Sequence, residues 1–319
     1  NVCRQKGEKT LLTTKSQKII TPYLLLLIFP PLFWAGNFIV GRAIRDSIPP
    51  MTLSLWRWII AMIIILPFAW KYLRRDLPYY KKHPWLIVRL SLTGVVGFTC
   101  LAYIGLHDTS AANALLLNSC VPVLIAILGS LFFGQRLHGI QNMGLFISCI
   151  GVLVIITHGD WEALKNLAFS KGDLIVFSAM LSFALYTLWS RNVPPEVNRT
   201  GLMAAQIAVA FIFLAPLWLI EYSHGATTYL STKGALALLY LGIFPSVLGY
   251  ILFTLAVSHF GAAQASLCIH LIPLFGAVLA VVFLGESLHL YHAAGMAVIL
   301  VGIRLALKSR EASSSMLKN

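Results

Sequence analysis

Apolar residues run through this chain in blocks of about twenty, each closed by a short polar stretch. Ten blocks can be marked, at about 23–42, 52–70, 85–106, 111–132, 140–156, 172–190, 202–222, 234–257, 262–284 and 290–308. Each is long enough, or nearly so, to carry a helix across roughly 30 Å of hydrocarbon. The pattern predicts an all-α membrane protein of ten transmembrane helices. Residues 1–22 and 310–319 read as polar tails, and the first tail runs into the first block without the layout of a cleavable leader.

The blocks repeat. A shift of 151 residues lays Ala111-Ala112 on Ala262-Ala263, Asn113 on Gln264, Pro122 on Pro273, Gly134 on Gly285, Gly144 on Gly295 and Gly151 on Gly302. A shift of 149 lays Ala35 on Ala184, Arg42 on Arg191, Arg57 on Gln206 and Pro67 on Pro216. Residues 23–156 and 172–309 therefore read as two copies of one five-helix unit, joined by a polar linker at 157–171. Five is odd, so the copies enter the membrane from opposite sides. Inverted repeats of this kind belong to secondary transporters, whose halves rock around a site between them.

Composition supports the membrane assignment. Hydrophobic residues make up 58% of the 319 and charged residues only 11%, with a mean hydropathy of +0.82. A soluble domain carries about a quarter charged residues. The net charge of +13 reports topology rather than a nucleic-acid partner. Ten spans put both termini on one side; 16 Lys and Arg fall on that side, five on the other, and Arg57, Arg89 and Arg304 inside blocks. The positive-inside rule then makes the termini cytoplasmic. The cysteines at 3, 100, 120, 149 and 268 form no CxxC pair, so neither a disulfide framework nor a metal site is expected. The sequon Asn198-Arg199-Thr200 falls on the cytoplasmic side and is read as chance.

Candidate chemistry gathers around the prolines. Pro122 and Pro273 are repeat partners near the middle of blocks four and nine, and each removes one helical hydrogen bond. The carbonyls freed, of Asn118 and Ile269, need protein or a wet cavity to satisfy them. Paired interruptions in matching spans point to a transport site. Upstream lie Asn113, Asn118 and Ser119 in one copy, and Gln264, Ser266 and His270 in the other; such polar groups usually face the bundle interior. His270 could bind substrate or take a proton, or remain a neutral, hydrogen-bonded histidine. Trp34 and Asn37 in block one align with Phe183 and Tyr186 in block six, and Tyr103 and Tyr250 add further rings with polar tips, which can grip an organic solute or simply pack.

All eleven acidic residues fall in tails, loops or block ends, so a mid-membrane carboxylate relay is not expected. Arg57 is expected to snorkel to the interface or to pair with Glu286, with substrate binding the weaker reading. The glycines at 134, 144, 151, 285, 295 and 302 are expected to let helices approach closely.

The order of these motifs resembles the EamA-type members of the drug/metabolite transporter superfamily. The resemblance is carried in the second copy by Gly249-Tyr250, GAAQASL at 261–267, Pro273, LGESL at 284–288, Gly295 and Gly302. In the first copy it is carried by WAGNF at 34–38, PPMTLSLWRW at 49–58 and TSAANALLLNSCVP at 109–122. It covers nearly all of 23–308. It implies a ten-helix carrier of the bacterial inner membrane with a central cavity between spans 1, 3, 4, 6, 8 and 9, no cofactor, and export of amino acids or other metabolites. The expected partners are a small-molecule substrate and the lipid bilayer, with a homodimer left open. One departure is Gln135, where the second copy has Glu286 and the family often has Glu.

An exchanger of phosphorylated or nucleotide-linked solutes is the alternative, disfavoured because no block carries Lys or Arg near its middle. An intramembrane enzyme would draw on His107-Asp108 or on His289 and His292, all at block ends, and is not expected.

Overall fold

The computed structural model describes residues 25–134, 139–160, 162, 170–260, 269 and 271–316. Its helices are α1 (Leu25–Ala43), α2 (Pro50–Lys82), α3 (Pro84–Asp108), α4 (Ala111–Asn118 with Val121–Phe132), α5 (Gly139–Ile156), α6 (Lys171–Ser190), α7 (Arg199–Ser223), α8 (Thr232–Ile243 running on to Phe260), α9 (Leu271–Leu284) and α10 (Leu290–Met316). No strand occurs among the described residues.

Local chemistry sets the helix starts. Pro50 and Pro84 occupy the first positions of α2 and α3, where a missing N–H costs nothing. Ser110, Ser170, Asn198 and Ser231 cap α4, α6, α7 and α8, each side-chain oxygen accepting from a backbone N–H of the first turn.

Among the described residues, six helices are long and apolar enough to cross a bilayer: α1, α2, α3, α6, α7 and α8. The bent pair in α4 makes seven. The apolar parts of α5, α9 and α10 among the described residues are shorter, so ten full spans are not evident from length and composition alone. The polar segment 71–82, expected as a connection, is instead a helical continuation of α2. Nothing in Lys71–Lys82 breaks a helix before Pro78, and α2 carries both Pro67 and Pro78 internally.

Matching helices of the two sequence copies meet antiparallel. In α2 and α7, Glu221 near the end of α7 accepts from the backbone N–H groups of Met51 (2.9 Å) and Thr52 (2.8 Å) at the start of α2. Asp76 near the end of α2 accepts from the backbone N–H of Asn198, the cap of α7, at 2.9 Å. Each carboxylate thus sits on the positive end of the other helix. In α5 and α10, a Cβ on Gly151 would lie 2.8 Å from the carbonyl oxygen of Gly295, and Gly302 packs on the Gly144 carbonyl. α4 and α9 also touch, Gly276 packing on Leu115, while the other pairs cross over, α1 against α8 and α3 against α6. Gly36 faces Tyr240, and Gly105 faces Gly172 and Val176.

Gly134 and Gly285 do not serve packing. Both have left-handed φ, 64° and 65°, and nothing lies near a Cβ at either. They follow the last turns of α4 and α9, where that conformation stops a helix at no steric cost.

Candidate functional site

The apolar face of α2 places Arg57. Leu53, Ser54, Arg57, Trp58, Ala61 and Ile65 are buried on one stripe, while Trp56, Ile63 and Phe68 are exposed. Spacings of three and four put Arg57 among the inward-facing residues, so it enters the bundle instead of snorkelling, and it is only 4% exposed. Its Nε donates to Ser246 Oγ at 2.7 Å. Its Nη1 donates to Asn37 Oδ1 at 2.7 Å and to Tyr103 Oη at 2.6 Å. Tyr103 donates in turn to Asn37 Oδ1 at 2.9 Å. No ion pair joins Arg57 to a described carboxylate. Glu286, the expected partner, is engaged elsewhere: Ala111 and Ala112 donate their N–H groups to it at 2.9 and 3.0 Å, so it caps the start of α4.

Four helices converge on this guanidinium, α1 through Asn37, α2, α3 through Tyr103 and α8 through Ser246. Two of them are locally wound as π-helix, Ser91–Gly97 in α3 and Phe244–Leu248 in α8. The shift of 151 residues carries the first segment onto 242–248, so the wide turns occupy matching places. Wide turns loosen the backbone hydrogen-bond ladder and recur at functional sites. At each one a side chain from the facing helix donates to a backbone oxygen. Trp34 Nε1 donates to the carbonyl of Pro245 at 3.1 Å, and Ser182 Oγ donates to that of Thr93 at 2.9 Å. Ser246 Oγ also donates to the Leu241 carbonyl at 2.8 Å, which leaves its lone pair for Arg57.

The proline in block four breaks its helix. Ser119 and Cys120 form a turn, their N–H groups donating to carbonyls three residues back, Leu116 and Leu117. The two halves of α4 bend by 43°, and Pro122 falls in the first turn of the second half. Asn118 ends the first half. Ser119 is buried and donates to Met296 Sδ on α10 at 3.7 Å. In α9, Pro273 is buried in the first turn after Leu271. Gln264 and His270 lie outside the described residues.

The other expected residues scatter. Tyr186 packs its ring on Gly94 and Phe183. Tyr250 donates to the Arg199 carbonyl at 3.4 Å, at the start of α7. Asn113 belongs to a second polar cluster, which sequence reasoning did not assemble. Its Nδ2 lies 3.3 Å from both carboxylate oxygens of Asp173, and its Oδ1 accepts from His292 Nε2 at 2.9 Å. Asp173 is 0% exposed; it also takes a hydrogen bond from Thr109 Oγ1 and contacts His158 Nε2 at 3.0 Å. Ser170-x-x-Asp173 has the form of a capping box, the one local signal that Asp173 folds back into structure. No group of His, Cys, Asp and Glu suited to a metal ion occurs among the described residues.

A model of the EamA-like transporter family matches residues 21–157 and again 170–308. The "Uncharacterized transporter YyaM" of Bacillus subtilis is 27% identical over 294 residues, spanning 91% of this chain and 94% of its own. The "Probable terminal-alkyne amino-acid exporter" of Streptantibioticus cattleyicolor is 28% identical over 265 residues, spanning 82% and 84%. One crystal structure shares the fold with a TM-score of 0.60 at 19% identity, covering 92% of this chain and 99% of that one.

Proposed function

The chain belongs to the EamA-like transporter family and is a multi-pass membrane transporter, not an enzyme; on that premise we propose that it exports an amino acid or a related carboxylate-bearing metabolite. One observation carries the choice of cargo. Arg57 holds a permanent positive charge inside the bundle and is bonded only to neutral groups among the described residues. A buried charge without a counter-ion is costly, and a guanidinium fits a carboxylate through paired N–H donors. A carboxylate arriving as cargo supplies the missing negative charge. The relative named as an amino-acid exporter agrees with this chemistry.

The carrier works as two inverted five-helix repeats, 23–156 and 172–309, joined by the linker 157–171 and making ten spans, with short tails at 1–22 and 310–319. Antiparallel meeting of α2 with α7 and of α5 with α10 supports the inversion, since a two-fold axis in the membrane plane reverses each helix onto its partner. The excess of Lys and Arg on one side supports cytoplasmic termini in a bacterial inner membrane. Cargo binds between the repeats, near Trp34, Asn37, Arg57 and Tyr103. The interrupted helix at Pro122 flanks the path, and in the sequence Gln264 and His270 lie shortly before Pro273, the repeat partner of Pro122. A doubly charged phosphate ester would need more than this single buried guanidinium, since Arg42 already donates to the carbonyls of Leu106 and His107.

The test uses liposomes holding the purified chain and loaded with pooled amino acids and central metabolites, with efflux followed by mass spectrometry. The expected result is selective loss of one or a few amino acids, blunted by Arg57→Met and by His270→Ala. Release of phosphate esters alone would instead make the protein an exchanger of phosphorylated solutes.

A further inference from the structure

We infer that the cluster of Asp173, Asn113, His158 and His292 is a proton-binding latch, which holds one end of the bundle closed and opens when His292 takes up a proton. The inference rests on the transporter reading only for its use, since the latch itself is visible without a cargo.

The cluster ties five chain segments together at one end of the molecule. Thr109 comes from the end of α3, Asn113 from the start of α4, His158 from the end of α5, Asp173 from the start of α6 and His292 from the start of α10. Helices from both sequence copies meet there. Glu286 adds a further tie beside it, from the end of α9 to the start of α4. The charge bias puts this end on the non-cytoplasmic face. A carrier that alternates its access must part these segments to release cargo on that face.

The hydrogen bonds require a neutral His292. Its Nδ1 accepts from the backbone N–H of His289 at 3.0 Å. That assigns the ring proton to Nε2, which donates to Asn113 Oδ1. Asn113 is thereby oriented with its amide N–H groups toward the Asp173 carboxylate. A proton added at Nδ1 removes the acceptor and sets two N–H groups against each other. The imidazolium must then leave the pocket, and the bond that orients Asn113 goes with it. The titratable groups facing His292 are His289 and Tyr291 from its own segment, His158 from α5 and Asp173 from α6, and Glu286 from the α9–α10 connection acts on Tyr291 beside it. His158 differs in kind. It is half exposed, and its Nε2 lies 3.0 Å from both Asp173 Oδ2 and Asn113 Nδ2.

The sign follows by linkage. The closed form excludes a proton that the open form accepts, so acid favours opening. With an ordinary histidine pKa near 6.5 in the open form, lowering the pH from 7.5 to 5.5 multiplies the open-to-closed ratio by about tenfold.

Hydrogen–deuterium exchange on the purified full chain in lipid nanodiscs tests this without any substrate. After correction for intrinsic exchange, peptides covering 108–114, 157–160 and 286–293 are expected to lose protection by about tenfold between pH 7.5 and 5.5. Peptides across the α2–α7 contact at 72–76 and 198–201 are expected to stay constant. His292→Gln keeps an amide donor and acceptor but cannot titrate, and its response is expected to be flat; His158→Gln is expected to keep the acid response. A pH-independent wild type, a full response in His292→Gln, or a response lost only in His158→Gln would each overturn the latch. Acid opening in a protein that exports no amino acid would sink the cargo reading and leave the latch standing.

Discussion

Replacing Arg57 with Met separates a cargo-binding arginine from a structural keystone. The substitution keeps a long apolar stem on the buried stripe of α2 and removes the charge. In the folded protein it orphans little. Tyr103 still donates to Asn37 Oδ1 at 2.9 Å, and Ser246 still donates to the Leu241 carbonyl at 2.8 Å. What disappears is three charge-assisted donors together with the cost of burying an unneutralised guanidinium. These terms oppose each other, each several kcal/mol in size. The expected net change in stability is less than about 2 kcal/mol in either direction, read as a small shift of the thermal midpoint in detergent. Transport should respond on another scale. Truncating one partner of a buried charge pair costs about 2–5 kcal/mol, which at 1.36 kcal/mol per decade is roughly thirty-fold to several-thousand-fold in apparent affinity. The assay is amino-acid efflux from liposomes at graded internal concentrations. Efflux within about threefold of wild type would refute a carboxylate on Arg57, and a midpoint collapsed by tens of degrees would show that Arg57 holds the bundle together instead.

Other substitutions test the frame. Gly151→Ala drives a methyl to 2.8 Å from the Gly295 carbonyl, an overpacking worth about 1–3 kcal/mol, visible as a lowered thermal midpoint. Glu286→Ala removes the acceptor for two N–H groups of α4 and is expected to cost about 0.5–2 kcal/mol, with faster hydrogen exchange at Ala111 and Ala112. Gly285→Ala meets no neighbour but keeps a φ of 65°; only backbone strain of about 1–2 kcal/mol is expected, and wild-type stability there would mean that the turn is not held in that conformation.

Much of the frame was legible because it depends on local chemistry. Proline cannot donate, so the break at Ser119–Cys120 follows from Pro122; apolar length gives the long helices; paired glycines mark the α5–α10 crossing. The misreadings share a cause. Gly134 and Gly285 look the same in sequence as Gly151 and Gly302, because a glycine records the need for no side chain, not whether a neighbour or a backbone angle imposes it. Arg57 was expected at the interface because its distance from the helix start suggests snorkelling, whereas the face it occupies decides, and that face is set by Trp58, Ala61 and Ile65. Asp173 and His292 sit 119 residues apart in the chain, and no periodicity brings them to Asn113; only the folding of the two copies against each other does.

The matched π-helical turns in α3 and α8 have a consequence for rotational phase. A wide turn takes up one residue more than an ordinary turn needs, and each residue of an α-helix advances the side-chain direction by about 100°. Ser91–Gly97 precedes Tyr103 on α3, so this one surplus residue sets the heading with which Tyr103 meets Arg57. Deleting a residue there would leave the composition of α3 almost unchanged while turning Tyr103 toward another neighbour. On α3 the site is therefore aimed by how many residues the helix counts before Tyr103, as much as by which residue stands there.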